Sequence, residues 1–191
     1  MVTNKKNENN NDDKCKKNDN PTEILKKEHQ QILALIEALE RECSSITAGG
    51  KLNKSFFRQA IYFIRNYADK FHHAKEEDIL FFELCKDQTQ EKMHCNPVQQ
   101  MLVEHDSGRQ FVKGMEEGLE INDKKLVIEN ANGYASLLRE HIFKEDNILY
   151  PMADEVLDKV EQERIKNKFA EAENKLMKIK NECLAFVKRI S

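Results

Sequence analysis

Two stretches of the chain carry the same donor side chains at the same spacing. Residues 71–81 read Phe-His-His-Ala-Lys-Glu-Glu-Asp-Ile-Leu-Phe, and residues 141–150 read His-Ile-Phe-Lys-Glu-Asp-Asn-Ile-Leu-Tyr, followed by Pro151. Aligned, both follow His-x-x-Lys-Glu-x-x-Ile-Leu-(Phe/Tyr). His72 and Glu76, like His141 and Glu145, are four apart, so on a helix each pair projects from one face. An imidazole and a carboxylate one turn apart, twice, in a chain with six histidines, point to a metal site bridged by carboxylates. Two further stations match each other as well. Pro21 precedes Glu28-His29 by the same interval as Pro97 precedes Glu104-His105.

Helices must position these groups. Asn20-Pro21-Thr22-Glu23 is a helix start, with Asn as cap, Pro at the first position and Glu three after the cap. Leu25, His29, Ile32, Ile36, Leu39 and Cys43 form one seam, which puts His29 where Leu would be ordinary. This helix is expected to end before Ala48-Gly49-Gly50. A second helix, from near Asn53 to about Lys86, has the seam Phe57, Ile61, Ile64, Ala68, His72, Glu76, then Ile79 or Leu80. That pattern turns His72 and Glu76 inward and puts His73 and Glu77 on a flanking face with Asn66, Asp69 and Lys70. After a loop from about Asp87 to Cys95, Asn96-Pro97 opens a third helix with Val98, Leu102, His105, Val112, Met115 and Leu119 along one side. The fourth runs from about Asp123 past Tyr150, with the seam Ala131, Tyr134, Leu138, His141, Glu145 and Ile148, and Pro151 kinks or ends it. A last helix, roughly Glu161 to Ile190, repeats apolar residues from Ile165 through Phe169 and Cys183 to Ile190 without His or an inward carboxylate. It suits packing as a fifth helix or a homodimer contact.

Short loops make consecutive helices antiparallel neighbours, so the expected fold is all-α, an up-down-up-down four-helix bundle with an additional C-terminal helix. At 1.5 Å per residue, His29 and His105 lie about 13 Å from one end of the bundle and His72 and His141 about 15–21 Å from it. All four imidazoles can therefore share one layer with Glu76 and Glu145. Without an ion, the two buried carboxylates would cost about several kcal/mol or take up protons. A pair of cations removes that cost, each Glu bridging and each imidazole giving one nitrogen. Nitrogen and oxygen donors without sulfur suit non-heme iron or manganese, with zinc as a further option. Six side chains under-fill two octahedral ions and leave room for water, a bridging oxide or a small molecule.

The bulk properties narrow the function. The 191 residues suit one domain, and a formal charge of -3 is spread without the basic stripe that nucleic acid needs. No run is long and apolar enough for a membrane, no signal peptide is expected, and the chain reads as cytoplasmic. Five cysteines with no Cys-x-x-Cys spacing suit neither a disulfide framework nor a thiolate zinc site. Three of them fall where apolar residues are expected. Residues 1–19, almost wholly Asn, Lys, Asp and Glu, are expected to be a disordered tail carrying an exposed Cys15. The bundle is expected over residues 20–155 and the C-terminal amphipathic helix over 156–191. There is no His-Glu-x-x-His, phosphate loop or Gly-x-Ser-x-Gly elbow. The Glu-x-x-His of Glu91 and His94 occurs once, in an expected loop, and is discounted.

At His29, His72-His73-Ala74-Lys75-Glu76-Glu77, Glu104-His105-Asp106-Ser107-Gly108-Arg109 and His141-Ile142-Phe143-Lys144-Glu145, the sequence resembles the hemerythrin family, in its single-domain cation-binding branch. The resemblance spans about residues 20 to 155. It implies two non-heme iron ions with an oxo or hydroxo bridge, binding O2 or a related small oxidant. One station departs: Arg109 stands where oxygen carriers of the family have a second histidine. Some relatives use the residue after the second-helix histidine as a ligand, which implies that role for His73. The ligand set implied is His29, His72, His73, Glu76, His105, His141 and Glu145.

Three functions follow as expectations: a di-iron module that binds O2 for carriage, storage or sensing; a di-iron peroxidase or nitric oxide and peroxide scavenger; or a structural helical partner protein. Glu77 and Asp78 are expected to be solvated. Glu28, Glu104 and Glu140 each precede a motif histidine, and helix geometry turns them towards the surface. Tyr62, Tyr67 and Tyr134 are expected to pack, with Tyr134 able to approach the site. Arg109 is either a surface cation or the holder of a carboxylate or reduced oxygen species.

Overall fold

The computed structural model describes residues 20–93, 95 and 97–191. The expected tail with Cys15, the cap at Asn96 and the Glu-x-x-His histidine His94 lie outside the described residues. The described chain is all-α, with six helices and no strands among the described residues. Helix α1 is Pro21–Thr47, α2 spans 54–84, α3 is the single turn Asp87–Gln90, α4 is Val98–Glu120, α5 spans 124–156 and α6 is Lys159–Ile190.

The starts follow the sequence. The Asn53 side chain accepts from Phe56 N–H, and Asp123 accepts from the N–H groups of Lys125 and Leu126. Asp158 and Glu161 form a reciprocal capping box that begins α6 at Lys159. At α1 Pro21 holds the first turn, but the Asn20 side chain makes no capping bond. Thr22 instead donates its hydroxyl to Asp154 of α5 at 2.8 Å. Gly49, at φ 100°, supplies the left-handed residue that ends α1.

Helix α4 packs along α5, α1 lies against α5, and α2 closes the bundle against α4 and α1. Helix α6 packs along α1 and α2, burying Ile165, Phe169, Cys183, Phe186 and Val187. Its middle, from Ala172 to Ile179, is only half-buried or exposed, so the expected seam is used mainly at its two ends. Two apolar clusters result. One holds Leu35, Phe57, Tyr67, Met115 and Tyr134, the other Leu25, Leu80, Leu84, Tyr150 and Phe169. Of the described cysteines, Cys43 and Cys183 are buried while Cys85 and Cys95 are exposed, and all four are free thiols. That is two core positions where three were expected. Among the described residues no helix is long and apolar enough to cross a membrane.

Helices α2 and α5 are not regular throughout. Residues Ile64–His73, Glu76–Leu80 and Glu145–Leu149 wind as π-helix. The N–H of Phe81 reaches back five residues to Glu76, and that of Tyr150 to Glu145. Each wide turn inserts one residue, which moves the apolar seam along by one. The core residues after the two carboxylates are therefore Leu80 and Leu149, whereas Ile148 is 46% exposed, against the regular-helix expectation. Pro151 does not end α5, which continues to Val156. It sits in the first turn of the α-helical segment Tyr150–Val156, just after the π turn, where its missing N–H costs no bond.

Candidate metal centre

The four helices bring the expected donors to one depth. His29 Nε2 lies 3.0 Å from His72 Nε2, and His105 Nε2 lies 3.0 Å from His141 Nε2. Glu145 spans the two pairs, with Oε2 3.2 Å from His29 and Oε1 3.2 Å from His141. Glu76 turns Oε2 to both pairs, 3.6 Å from His72 and 3.5 Å from His105. Donor atoms of His29, His72, Glu76 and Glu145 fall within 4.8 Å of one another, and so do those of His73, Glu76, His105 and His141. All seven residues are buried.

The outer nitrogen of each paired ring is held by a carboxylate from a neighbouring helix. Nδ1 of His29 meets Asp146 at 2.9 Å, that of His72 meets Glu28 at 2.9 Å, that of His105 meets Glu77 at 2.7 Å, and that of His141 meets Glu104 at 2.9 Å. A carboxylate only accepts, so the proton sits on Nδ1 and the Nε2 lone pair faces the centre. Lys75 bonds the far oxygen of Glu28, and Lys144 that of Glu104. The sequence repeat is thus a spatial repeat, α1 and α2 doing for one half what α4 and α5 do for the other.

Glu28, Glu77 and Glu104 correct the sequence reading, which put all three at the surface. Neighbours on a helix do point ~100° apart, but each acid reaches the histidine of another helix rather than its own neighbour. The signal was present. Glu28 and Glu104 recur at matched positions, as do Glu77 and Asp146. Glu140, by contrast, is exposed as expected.

Two lone pairs at 3.0 Å repel unless a proton or cation lies between them. In the ion-free protein protons serve. For His141, burial lowers the pKa, but Glu145 and Glu104 outweigh it and hold the ring up at about 9. His29 is likewise raised against its burial, by its bond to Asp146 and the charge of Glu145. Burial and the charge on His29 push His72 well down. Burial and the neighbouring Glu145 charge raise Glu76 well above the usual carboxylate range, while for Glu145 burial is outweighed by the protonated His141 and His29, which hold it well below that range. Even so, both ring nitrogens of His73, Oε2 of Glu76 and both carboxylate oxygens of Glu145 are buried without a hydrogen-bond partner. Native interiors rarely leave such atoms unpaired. Cations in the two donor sets would satisfy one nitrogen of His73 and the inward oxygens of Glu76 and Glu145, so the residues fit a two-ion centre.

The two halves differ where the repeat has diverged. His73, whose counterpart is Ile142, is buried rather than flanking, because the π-helical stretch turns successive residues through a smaller angle. Its ring stacks on His105 with centroids 3.8 Å apart. Beside it a pocket of about 120 Å³ opens, lined by His73, His105, His141, Gly108, Arg109 and Tyr134 among others. The counterparts of Asp69, Gly108 and Arg109 are Leu138, Ile32 and Leu33. Ile32 and Ile142 sit in the apolar core with Leu33 packed against it, while Leu138 lines the pocket itself. Arg109 bonds Asp69 at 2.9 Å, Glu77 at 2.7 Å and Asp106 at 2.8 Å. It holds carboxylates, the second of its two expected readings, and through Glu77 it steadies His105. Tyr134 lines the pocket with its hydroxyl unpartnered.

One residue at the centre was read only as part of the repeat. Tyr150 is fully buried, donates its hydroxyl to Glu76 Oε1 at 2.6 Å and stacks on His29. Its place after the second Ile-Leu, opposite Phe81 in the first, was the available signal. No curated protein and no solved structure matches the chain. A family model does, over residues 20–153, the span that contains every metal donor and every carboxylate bonded to one of their imidazoles. The chain belongs to the hemerythrin HHE cation-binding domain family.

Proposed function

We propose that this metal-binding bundle holds two non-heme iron ions and uses them to bind O2 or a related small oxidant, for carriage, storage or sensing. His29 and His72 would hold one ion, His73, His105 and His141 the other, and Glu76 and Glu145 would bridge. The observation that carries this reading is the pair of donor sets sharing Glu76, in which the His73 nitrogens, Glu76 Oε2 and both Glu145 oxygens are buried without a hydrogen-bond partner. Donors of nitrogen and oxygen alone favour iron, with manganese and zinc as alternatives. When bound, such a pair supplies reversible redox chemistry towards small oxygen and nitrogen ligands. The chain's own residues orient the imidazoles, exclude bulk water and leave an approach through the pocket.

That pocket, about 120 Å³, has room for O2, peroxide or nitric oxide. Arg109 faces three carboxylates, so it offers no surplus positive charge for an anion and favours uncharged ligands. A second reading, a peroxidase or nitric oxide scavenger, draws on Tyr134, whose unpartnered hydroxyl on the pocket wall could donate to a bound oxidant. The free thiols of Cys43 and Cys183 fit a cytoplasmic setting.

Metal analysis of protein purified without chelator tests the first step, and the near-ultraviolet bands of an oxo-bridged diferric pair test the second. Protein without bound metal would leave only a structural role for the bundle. Stopped-flow mixing with O2 and with peroxide separates the two readings. Reversible, stoichiometric oxygenation supports binding and sensing, and rapid multiple turnover of peroxide supports the enzyme.

A further inference from the structure

The pocket half of the centre has three imidazoles, whereas the other, sealed half has two, with His29, His72, Glu145 and Tyr150 at most 1% exposed. The repeat shows what stands there instead. Phe81 stacks on His105, with centroids 6.1 Å apart and planes 15° from parallel, and Tyr150 stacks on His29 at 5.5 Å and 9°. The two aromatics are equivalent by sequence and by contact. Only the one in the sealed half has a hydroxyl. That oxygen lies 2.6 Å from Glu76 Oε1 and 3.3 Å from His29 Nε2, while His29 and His72 present their Nε2 atoms 3.0 Å apart. With bonds of about 2.0–2.1 Å, adjacent ligands of an octahedral ion stand about 3 Å from each other. The phenol oxygen therefore has the spacing of a fifth donor beside the four of that set.

We infer that Tyr150 is a metal ligand of the sealed half, bound as phenolate, so that the repeat has been differentiated into an imidazole-rich ion facing the pocket and a phenolate-bearing ion closed to solvent. On loading, the phenolic O–H bond is exchanged for the oxygen–metal bond and its proton leaves to solvent, as for other protonated ligands. Glu76 Oε1, which now accepts from that hydroxyl, is freed to turn to the ions. The divergence is paired. His73 replaces the isoleucine pattern on one side, Tyr150 replaces the phenylalanine on the other, and each adds one donor to its own half. A hard phenolate oxygen would favour the ferric state of an ion held by His29, His72 and Tyr150.

This inference rests on the two-iron reading, and the experiment separates them. The full chain is loaded with ferrous iron, oxidised in air, and measured by metal analysis, visible absorption and resonance Raman, with and without ring-deuterated tyrosine. The expected result is two irons per chain, a visible phenolate-to-ferric charge-transfer band, and ring modes that shift on deuteration. Tyr150→Phe should abolish band and modes, while Tyr134→Phe keeps them. Phenylalanine already stands at the equivalent position 81, so the variant is sterically matched. Iron present without phenolate modes in the wild type, or modes that persist in Tyr150→Phe, overturns the assignment and leaves the two-iron reading intact. No bound iron overturns both.

Discussion

Replacing Glu28 by Gln separates two duties that the repeat assigns to equivalent residues. Glu28 accepts from His72 Nδ1 and pairs with Lys75, and Glu104 accepts from His141 Nδ1 and pairs with Lys144. The surroundings differ. The Lys75 side chain is 1% exposed, with Nζ 4.0 Å from the Phe71 ring centroid and 5.4 Å from that of Phe169 on α6. Burial raises the Glu28 carboxyl and lowers the Lys75 ammonium, and each is pulled back by the other. Removing the carboxylate charge strands an ammonium that cannot reach water, which costs about 3–5 kcal/mol. The Lys144 side chain is 25% exposed, so after Glu104→Gln it turns to solvent and the loss is that of a surface pair, up to about 1 kcal/mol. Metal binding should not follow this asymmetry. Each variant weakens the carboxylate behind one imidazole, and each should lower metal affinity about 10–100-fold. Urea unfolding in the presence of chelator reads the first effect, and competition with a chromogenic chelator reads the second. Equal stability losses in the two variants, or a larger loss for Glu104→Gln, would refute the reasoning. The double variant Glu28→Gln/Lys75→Met should regain most of the stability, because both charges then leave together.

Other substitutions test other parts. Glu83, with a 1% exposed side chain, is gripped by Lys86 and Arg164 at 2.5 Å and by Lys168 at 3.4 Å, tying α2 to α6. Burial raises its pKa, but these cations outweigh burial and hold it below the usual carboxylate value. Its contribution to stability is therefore full above the unfolded carboxylate pKa and fades as pH falls through the lower folded value. Glu83→Gln should cost about 1–3 kcal/mol at neutral pH, towards the low end because the three cations are partly exposed. The gap from wild type in denaturant midpoint should close below about pH 4, and a pH-independent gap would count against it. Gly108→Ala would bring a methyl to 3.6 Å from Tyr134 and 3.7 Å from Leu138, ordinary contacts. It should gain about 0.5–1 kcal/mol of helix stability and slow ligand entry in stopped-flow mixing, and unchanged entry rates would disqualify the pocket as the route. His73→Ala should lower the iron content below two per chain and alter the spectrum, and an unaltered count and spectrum would exclude His73 as a ligand.

The chain order of His29, His72, Glu76, His105, His141 and Glu145, each on an apolar seam, fixed which side chains face inward. Short connections then made their meeting at one level a matter of helix rise alone. Those residues and the all-α bundle were legible for that reason: periodicity is a one-dimensional record of a buried face. What the linear pattern could not record is how one helix reaches across to another. Glu28, Glu77 and Glu104 look outward on their own helices and become imidazole partners, Glu28 buried and the other two half-buried, only because a second helix places an imidazole beside them. The π turns at Glu76 and Glu145 have no signature in a regular periodicity, yet they exchange Ile148 for Leu149 in the core and help bring His73 inside. The difference between the halves also belongs to three dimensions. Gly108 makes a pocket only because Tyr134 and Leu138 stop short of it, and Ile32, on the matching turn of α1, lies within the packed core.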